Sequence, residues 1–218
     1  MRRSGFIFDL DGTLFDSEMQ IFRALNDCRV ESGNLPLSKE SLKKLIGLPG
    51  KALFGDLVVP PNDIEQMLNR FRELLRIEIL KENAMYENSA KFVELISQKA
   101  FKIGIATSKP TSLAKHVVDN SVISPFVDHV QGTDDFLPKP DPTVILKCMY
   151  SLNLEYAIMF GDRVEDMEAA MAARVIGIGV AQSIHSKEEL FDAGATIVFS
   201  NFTEIIENSI NLIEMVEG

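Results

Sequence analysis

Phe6-Ile7-Phe8-Asp9-Leu10-Asp11-Gly12-Thr13-Leu14-Phe15-Asp16-Ser17 is the stretch from which the rest of the chain is read. A short apolar run, Phe6 to Phe8, stops at two carboxylates one residue apart, Asp9 and Asp11, and Gly12 and Thr13 follow. An apolar run bounded by turn residues reads as a buried strand, which puts both acids at its end. Carboxylates held this close repel each other and lose hydration unless a cation, a proton or hydrogen-bond donors compensate them. A hard cation such as Mg2+ is the simplest compensation for clustered oxygen ligands. Asp and Gly after a strand also serve as plain turn formers. The choice therefore depends on what else the chain brings to the same place.

The 218 residues suffice for one sizeable core, or for a core domain carrying a smaller one. With 46% hydrophobic and 25% charged residues the chain falls in the ordinary soluble class. A formal net charge of −10 argues against a nucleic-acid partner, whose surface needs concentrated Lys and Arg. It leaves room for an anionic substrate met by a local basic group and a metal. No apolar run approaches the ~20 residues of a membrane span, so no membrane partner is expected. Cys28 and Cys148 stand apart without metal-ligand spacing, as buried thiols of a reducing compartment do. Met1-Arg2-Arg3 runs straight into the first strand without a signal-like apolar region, so the expected location is cytoplasmic.

Ser17 and Gln20 have capping-box spacing, and Ile21, Leu25 and Cys28 follow at helical intervals toward Gly33. Ser38 opens a short helix with Leu42, Leu45 and Ile46 inward, broken by Gly47-Leu48-Pro49-Gly50. After Pro60-Pro61, a long amphipathic helix runs through Ile64, Met67, Leu68, Phe71, Leu75 and Ile79. No strand pattern interrupts this helical block. From Ser89 onward helices alternate with strands at Phe101 to Ala106, Val127 to Val130, Ala157 to Phe160, Val175 to Val180 and Ile197 to Phe199. Asp141-Pro142 opens one of the intervening helices, and a last helix starts at Thr203. Such alternation predicts an α/β fold, a doubly wound parallel sheet with helices on both faces. Ligands of such sheets gather at the carboxyl ends of the strands.

Four sets of reactive side chains fall at predicted strand ends. Asp9 and Asp11 follow the first, Thr107 and Ser108 the second, Lys139 lies in the loop after the third, and Asp162 and Asp166 follow the fourth. Each has an ordinary explanation alone: Thr107 and Ser108 as a helix cap, Lys139 as a solvated loop residue, and the two acids as favourable charge at a helix start. Their convergence on one edge offers carboxylates for a metal, hydroxyls for phosphoryl oxygens and an ammonium to offset charge.

Asp9-Leu10-Asp11-Gly12-Thr13, with Gly161-Asp162 and the four-spaced Asp166, resembles the haloacid dehalogenase-like hydrolase superfamily, in its helical-cap branch with phosphoglycolate phosphatases and related phosphatases. The resemblance spans essentially the whole chain. It implies a Rossmann-like core over residues 1–16 and 83–218, with an all-helical cap inserted at 17–82. Asp9 is then the nucleophile and Asp11 the general acid and base. Thr107 binds the transferring phosphoryl group with Ser108, and Lys139 neutralises it. Asp9, Asp11, Asp162 and Asp166 make up the Mg2+ site. The implied substrate is a small phosphorylated metabolite, cleaved through an aspartyl phosphate by a monomer or homodimer. Gly47 and Lys51, at the break in the cap, are the candidate specificity contacts. Arg70, Arg72 and Arg76 read instead as a charged solvent face.

Two rival readings are weighed against single positions. Phosphosugar mutases of the superfamily carry a hinge His twelve residues after the nucleophile, where this chain has Ile21. A receiver-like signalling module shares the acids, the hydroxyl and the Lys but needs no large helical insertion. Arg163, Arg174 and Asn88-Ser89 depart from the commoner residues of the superfamily. Arg163 bears on phosphate or leaving-group contacts, Arg174 on packing, and Asn88-Ser89 on the return from the cap.

Overall fold

The apolar run at Phe6 is strand β1 (Ser4–Phe8), buried from Gly5 onward. A strand covered on both faces by helices has no polar side to show, so its sequence does not alternate. The computed structural model describes residues 3–43, 45, 53–54 and 61–217. They fall into two compact units, one within the bounds Met1–Asp16 and Met85–Gly218 and the other within Ser17–Ala84.

In the first unit, β1 is followed by α4 (Ser89–Gln98), β2 (Lys102–Ala106), α5 (Thr111–Asp119), a 3-10 turn (Ser124–Phe126) and β3 (His129–Gln131). Then come α6 (Thr143–Ser151), β4 (Tyr156–Gly161), α7 (Val164–Ala173), β5 (Ile176–Val180), α8 (Lys187–Asp192), β6 (Ile197–Phe199), α9 (Phe202–Glu207) and α10 (Ser209–Glu217). The sheet is ordered β3-β2-β1-β4-β5-β6 and every pairing is parallel. This is the expected doubly wound α/β sheet. Chain order reverses between β1 and β4, and at such a switch point the strand ends leave a crevice.

The two sheet faces are packed differently. On one, Phe8 stacks on Phe160 with ring centroids 4.9 Å apart, and Phe92 meets Phe6 edge-on at 6.2 Å. Edge and offset contacts suit the aromatic quadrupole. On the other, Ile7, Ala106, Val144, Ile145, Cys148 and Met159 form an aliphatic cluster. There Cys148 lies so close to β2 that a Cβ at Gly104 would sit 2.4 Å from its sulfur. Burial pushes the Cys148 thiol up to about 12, which leaves it a packing group.

The second unit holds α1 (Glu18–Glu31), α2 (Lys39–Lys43) and α3 (Pro61–Lys81). Helices α1 and α3 run antiparallel: Cys28 Sγ donates to Met67 O at 3.2 Å, while Arg23 pairs with Glu78 and Glu82, each at 3.3 Å. Arg70 bonds Glu31 across the same pair at 2.7 Å. The Leu42 side chain, Ile46, the break Gly47-Leu48-Pro49-Gly50 and Lys51 lie outside the described residues. No helix among the described residues is long and apolar enough to cross a membrane.

Several local expectations change. Ser17 makes no side-chain cap on α1, and the buried Gln20 amide donates to Glu82 O at 2.9 Å. Strand β3 starts at His129 because the preceding Asp128 carboxylate, rather than backbone, accepts from Ile103 N at 2.9 Å. The last helix is two, α9 and α10 meeting at Asn208, whose Nδ2 donates back to Glu204 O at 2.8 Å. Arg174 closes α7 at φ 58°, the left-handed position at which glycine is commonest.

Arg174→Gly should raise stability by about 0.5–1 kcal/mol in urea unfolding, the left-handed penalty of an L-residue less the entropy of a freer unfolded chain. A second expectation concerns pH. The Lys81 ammonium, 2.5 Å from Glu78, and the Arg23 guanidinium hold the Glu78 carboxyl below its usual range. A lowered folded-state value means the contribution is complete above the unfolded pKa and lost as pH falls through the folded one. The Tm deficit of Glu78→Gln should therefore be largest near neutrality and shrink on acidification, as followed by circular dichroism.

Candidate active site

Asp9 extends β1 by one residue, its backbone N–H donating to Phe160 O on β4 at 2.8 Å. Its carboxylate is thereby fixed at the switch point. Beyond it the chain closes a tight loop in which Leu14 N and Phe15 N both donate to Leu10 O at 3.0 Å, and Gly12 N to Phe15 O at 2.9 Å. Gly12 takes φ +85°, and a Cβ there would lie 2.3 Å from Asp162 Oδ2. Only glycine provides both that backbone angle and that clearance. Gly161 provides clearance alone, since a Cβ there would stand 2.3 Å from the Cβ of Asp166.

One oxygen from each of Asp9, Asp162 and Asp166 lies within 4.8 Å of the others, and all three residues are buried. Lys139 enters this cluster from the loop after β3. Its Nζ donates to Asp9 Oδ1 at 2.6 Å and to Ala106 O at 3.1 Å, and it is ion-paired with Asp166 Oδ1. Asp166 Oδ2 accepts from Arg163 N at 3.1 Å, closing the first turn of α7. Thr13 Oγ1 donates to Asp162 Oδ1 at 2.8 Å, and the Ser183 side chain bonds the same carboxylate.

Charge in this setting is costly. Burial pushes the Asp9 carboxyl up to about 6, even though Lys139 opposes the rise. Asp162 is raised well above the usual carboxylate range by burial and by the charges of Asp166 and Asp9. For Lys139, burial works against the ammonium, but Asp166 and Asp9 outweigh it and its pKa rises. The donor set is all oxygen, buried and short of positive charge, which fits a hard divalent cation.

Thr107, at the end of β2, is buried, and its Oγ1 accepts from Lys109 N at 3.3 Å; Ser108 beside it is half-buried. The Asp11 carboxylate is not one of the three that converge, and its Oδ2 is paired with Lys109 Nζ at 2.8 Å. Arg163 turns its Nε to Glu165 at 3.2 Å. The expected contacts Gly47 and Lys51 fall outside the described residues.

With this geometry in place, a family model described as haloacid dehalogenase-like hydrolase matches residues 6–180. The chain belongs to that family. Within this hydrolase family it is 31% identical over 170 residues to a phosphoglycolate phosphatase of Aquifex aeolicus, covering 77% of this chain and 79% of the relative. It is 29% identical to a phosphorylated carbohydrates phosphatase of Thermotoga maritima, covering 87% and 90%. A solved structure of a predicted phosphatase from Clostridium acetobutylicum superposes with a TM-score of 0.83 at 26% identity, over 97% of this chain and all 100% of that one.

Sequence reasoning missed four supports of this candidate site. Lys109 lay in plain view beside Thr107 and Ser108, as a cation in a strand-end loop. Thr13 belonged to the opening stretch, where its hydroxyl was a donor without a stated partner. Gln182, whose Nε2 donates to Thr13 O at 2.7 Å, and Ser183 follow β5 and carry no local signal. Gly12→Ala should lower stability by about 1–2 kcal/mol in urea unfolding, from left-handed strain alone, with the displacement of Asp162 adding to it.

Proposed function

We propose that this chain hydrolyses phosphomonoesters of small phosphorylated metabolites, with Asp9 as nucleophile. The observation that carries the reading is Lys139 bonded to Asp9 Oδ1 inside a buried cluster of three carboxylates, with the Thr107 hydroxyl at the neighbouring strand end. The names of the phosphoglycolate and phosphorylated-carbohydrate phosphatases that it resembles support the substrate class.

A carboxylate oxygen of Asp9 attacks phosphorus, forming an acyl phosphate as the bond to the leaving alkoxide breaks. Asp11 delivers a proton to that leaving oxygen, then takes one from the water that cleaves the acyl phosphate and regenerates Asp9. Splitting the displacement into two steps lowers each barrier, and such proton transfer is typically worth ~10²–10⁴ in rate. Lys139 holds Asp9 in place and neutralises charge as two anions meet, while Thr107 and Ser108 offer hydroxyl donors to the phosphoryl oxygens. Mg2+, held by Asp9, Asp162 and Asp166, would supply the positive charge that the cluster lacks. Unit Ser17–Ala84 is assigned as the cap that selects among substrates. Position 21, where a mutase hinge carries His, is a buried Ile with no proton to exchange, which favours hydrolysis.

Release of inorganic phosphate from an aryl phosphate should require Mg2+ and stop on chelation. Asp9→Asn should lower kcat by about 10³-fold or more with its melting transition retained. Near-normal turnover by that variant would reject the assignment. A panel of phosphoglycolate, sugar phosphates and nucleotides ranked by kcat/KM then identifies the substrate.

A further inference from the structure

Lys139 is accounted for by Asp9 and Asp166, yet a second nearly buried ammonium stands on the same edge of the sheet. Lys109 Nζ lies 2.8 Å from Asp11 Oδ2, with the two side chains 7% and 20% exposed. We propose that Lys109 is a positioning residue for Asp11, fixing one carboxylate oxygen so that the other faces the leaving group. The inference rests on the assignment of Asp11 as acid and base.

The donor is anchored from behind. Lys109 N donates to Thr107 Oγ1 at 3.3 Å, and Lys109 O accepts from Thr133 N at 3.0 Å. A Cβ at Gly132 would stand 2.4 Å from that carbonyl, so the loops after β2 and β3 are in close backbone contact. Thr111 adds to the join, its Oγ1 accepting from Gly132 N at 3.0 Å and its N–H donating to Asp134 Oδ1 at 2.9 Å. Asp11 sits on the tight loop after β1, where its backbone bridges to Phe15. Backbone is thus fixed on both sides, and the ion pair removes the remaining rotamer freedom of the acid. With Oδ2 engaged, Oδ1 is the oxygen that gives its proton to the departing alkoxide and later accepts one from water. Misplacing a reacting group by about 1 Å can cost on the order of 10² in rate, so the contact belongs to catalysis more than to stability.

The role separates from a structural one by leaving group. Alkyl esters need a proton on the departing oxygen, whereas nitrophenyl esters depart without one. With full-length protein and Mg2+, Lys109→Met should lower kcat/KM for alkyl phosphates by about 10–100-fold, and for p-nitrophenyl phosphate by less than about 3-fold. The plot of log kcat/KM against leaving-group pKa should steepen, and Lys109→Arg should recover part of the loss. In an Asp11→Asn background, Lys109→Met should add less than about 2-fold, because the two residues act as a unit. If Lys109→Met does not melt cooperatively, Lys109→Gln carries the same comparison. Equal loss across all esters, or the same loss with and without Asp11, overturns the proposal. A wild-type protein that releases no phosphate from any ester overturns the phosphatase reading itself.

Discussion

The contact between the Lys139 ammonium and the carboxylates of Asp9 and Asp166 is the constraint on which the rest of the site depends. Burying three carboxylates is expensive, and an ammonium bonded to two of them offsets part of that cost. It also imposes an architecture. The acids must come from adjacent strands, which the order β2-β1-β4 provides, and nothing larger than a hydrogen may stand between them, which Gly12 and Gly161 provide. The lysine must arrive from the far side of β2, and its bond to Ala106 O ties it to that strand's last residue.

This balance is incomplete by design of the donor set. Three carboxylates face one ammonium, and Asp9 and Asp162 are both pushed toward protonation by burial and by their neighbours. Thr13 and Ser183 each bond Asp162, yet neutral donors do not remove charge. A bound divalent cation would settle the same electrostatic debt, and this is the physical ground for the proposed Mg2+. Asp11 stands apart from the cluster, with its own cation in Lys109. Two carboxylates one residue apart thus occupy different electrostatic surroundings, which suits the separate duties proposed for them.

The parallel sheet was legible because helix and strand periodicities alternate, and the residues of the cluster because a parallel sheet gathers ligands at one edge. What the sequence did not reveal was how those residues are held. Lys109 pairs with a residue ninety-eight positions away in the chain (109 − 11), and Gln182 reaches back to Thr13; no local pattern encodes such contacts. Local signals failed where long-range partners are made: Gln20 bonds the carbonyl of Glu82 and Ser17 makes no cap, and Asp128 delayed β3 by taking the amide of Ile103. The final helix reads as one in the sequence because Asn208 has tolerable helix propensity; the break there is visible only in the fold.

Phe15 bridges to Met85, and Tyr86 N donates to Leu14 O at 3.0 Å, so the chain comes back beside the point at which it left the core unit. An intervening segment need then satisfy only one geometric demand, that its own two ends lie side by side. Loop-closure entropy grows only with the logarithm of length, so the size of that segment matters little to the parent fold. The inserted unit and the sheet that carries it can therefore vary along separate evolutionary paths within one continuous polypeptide.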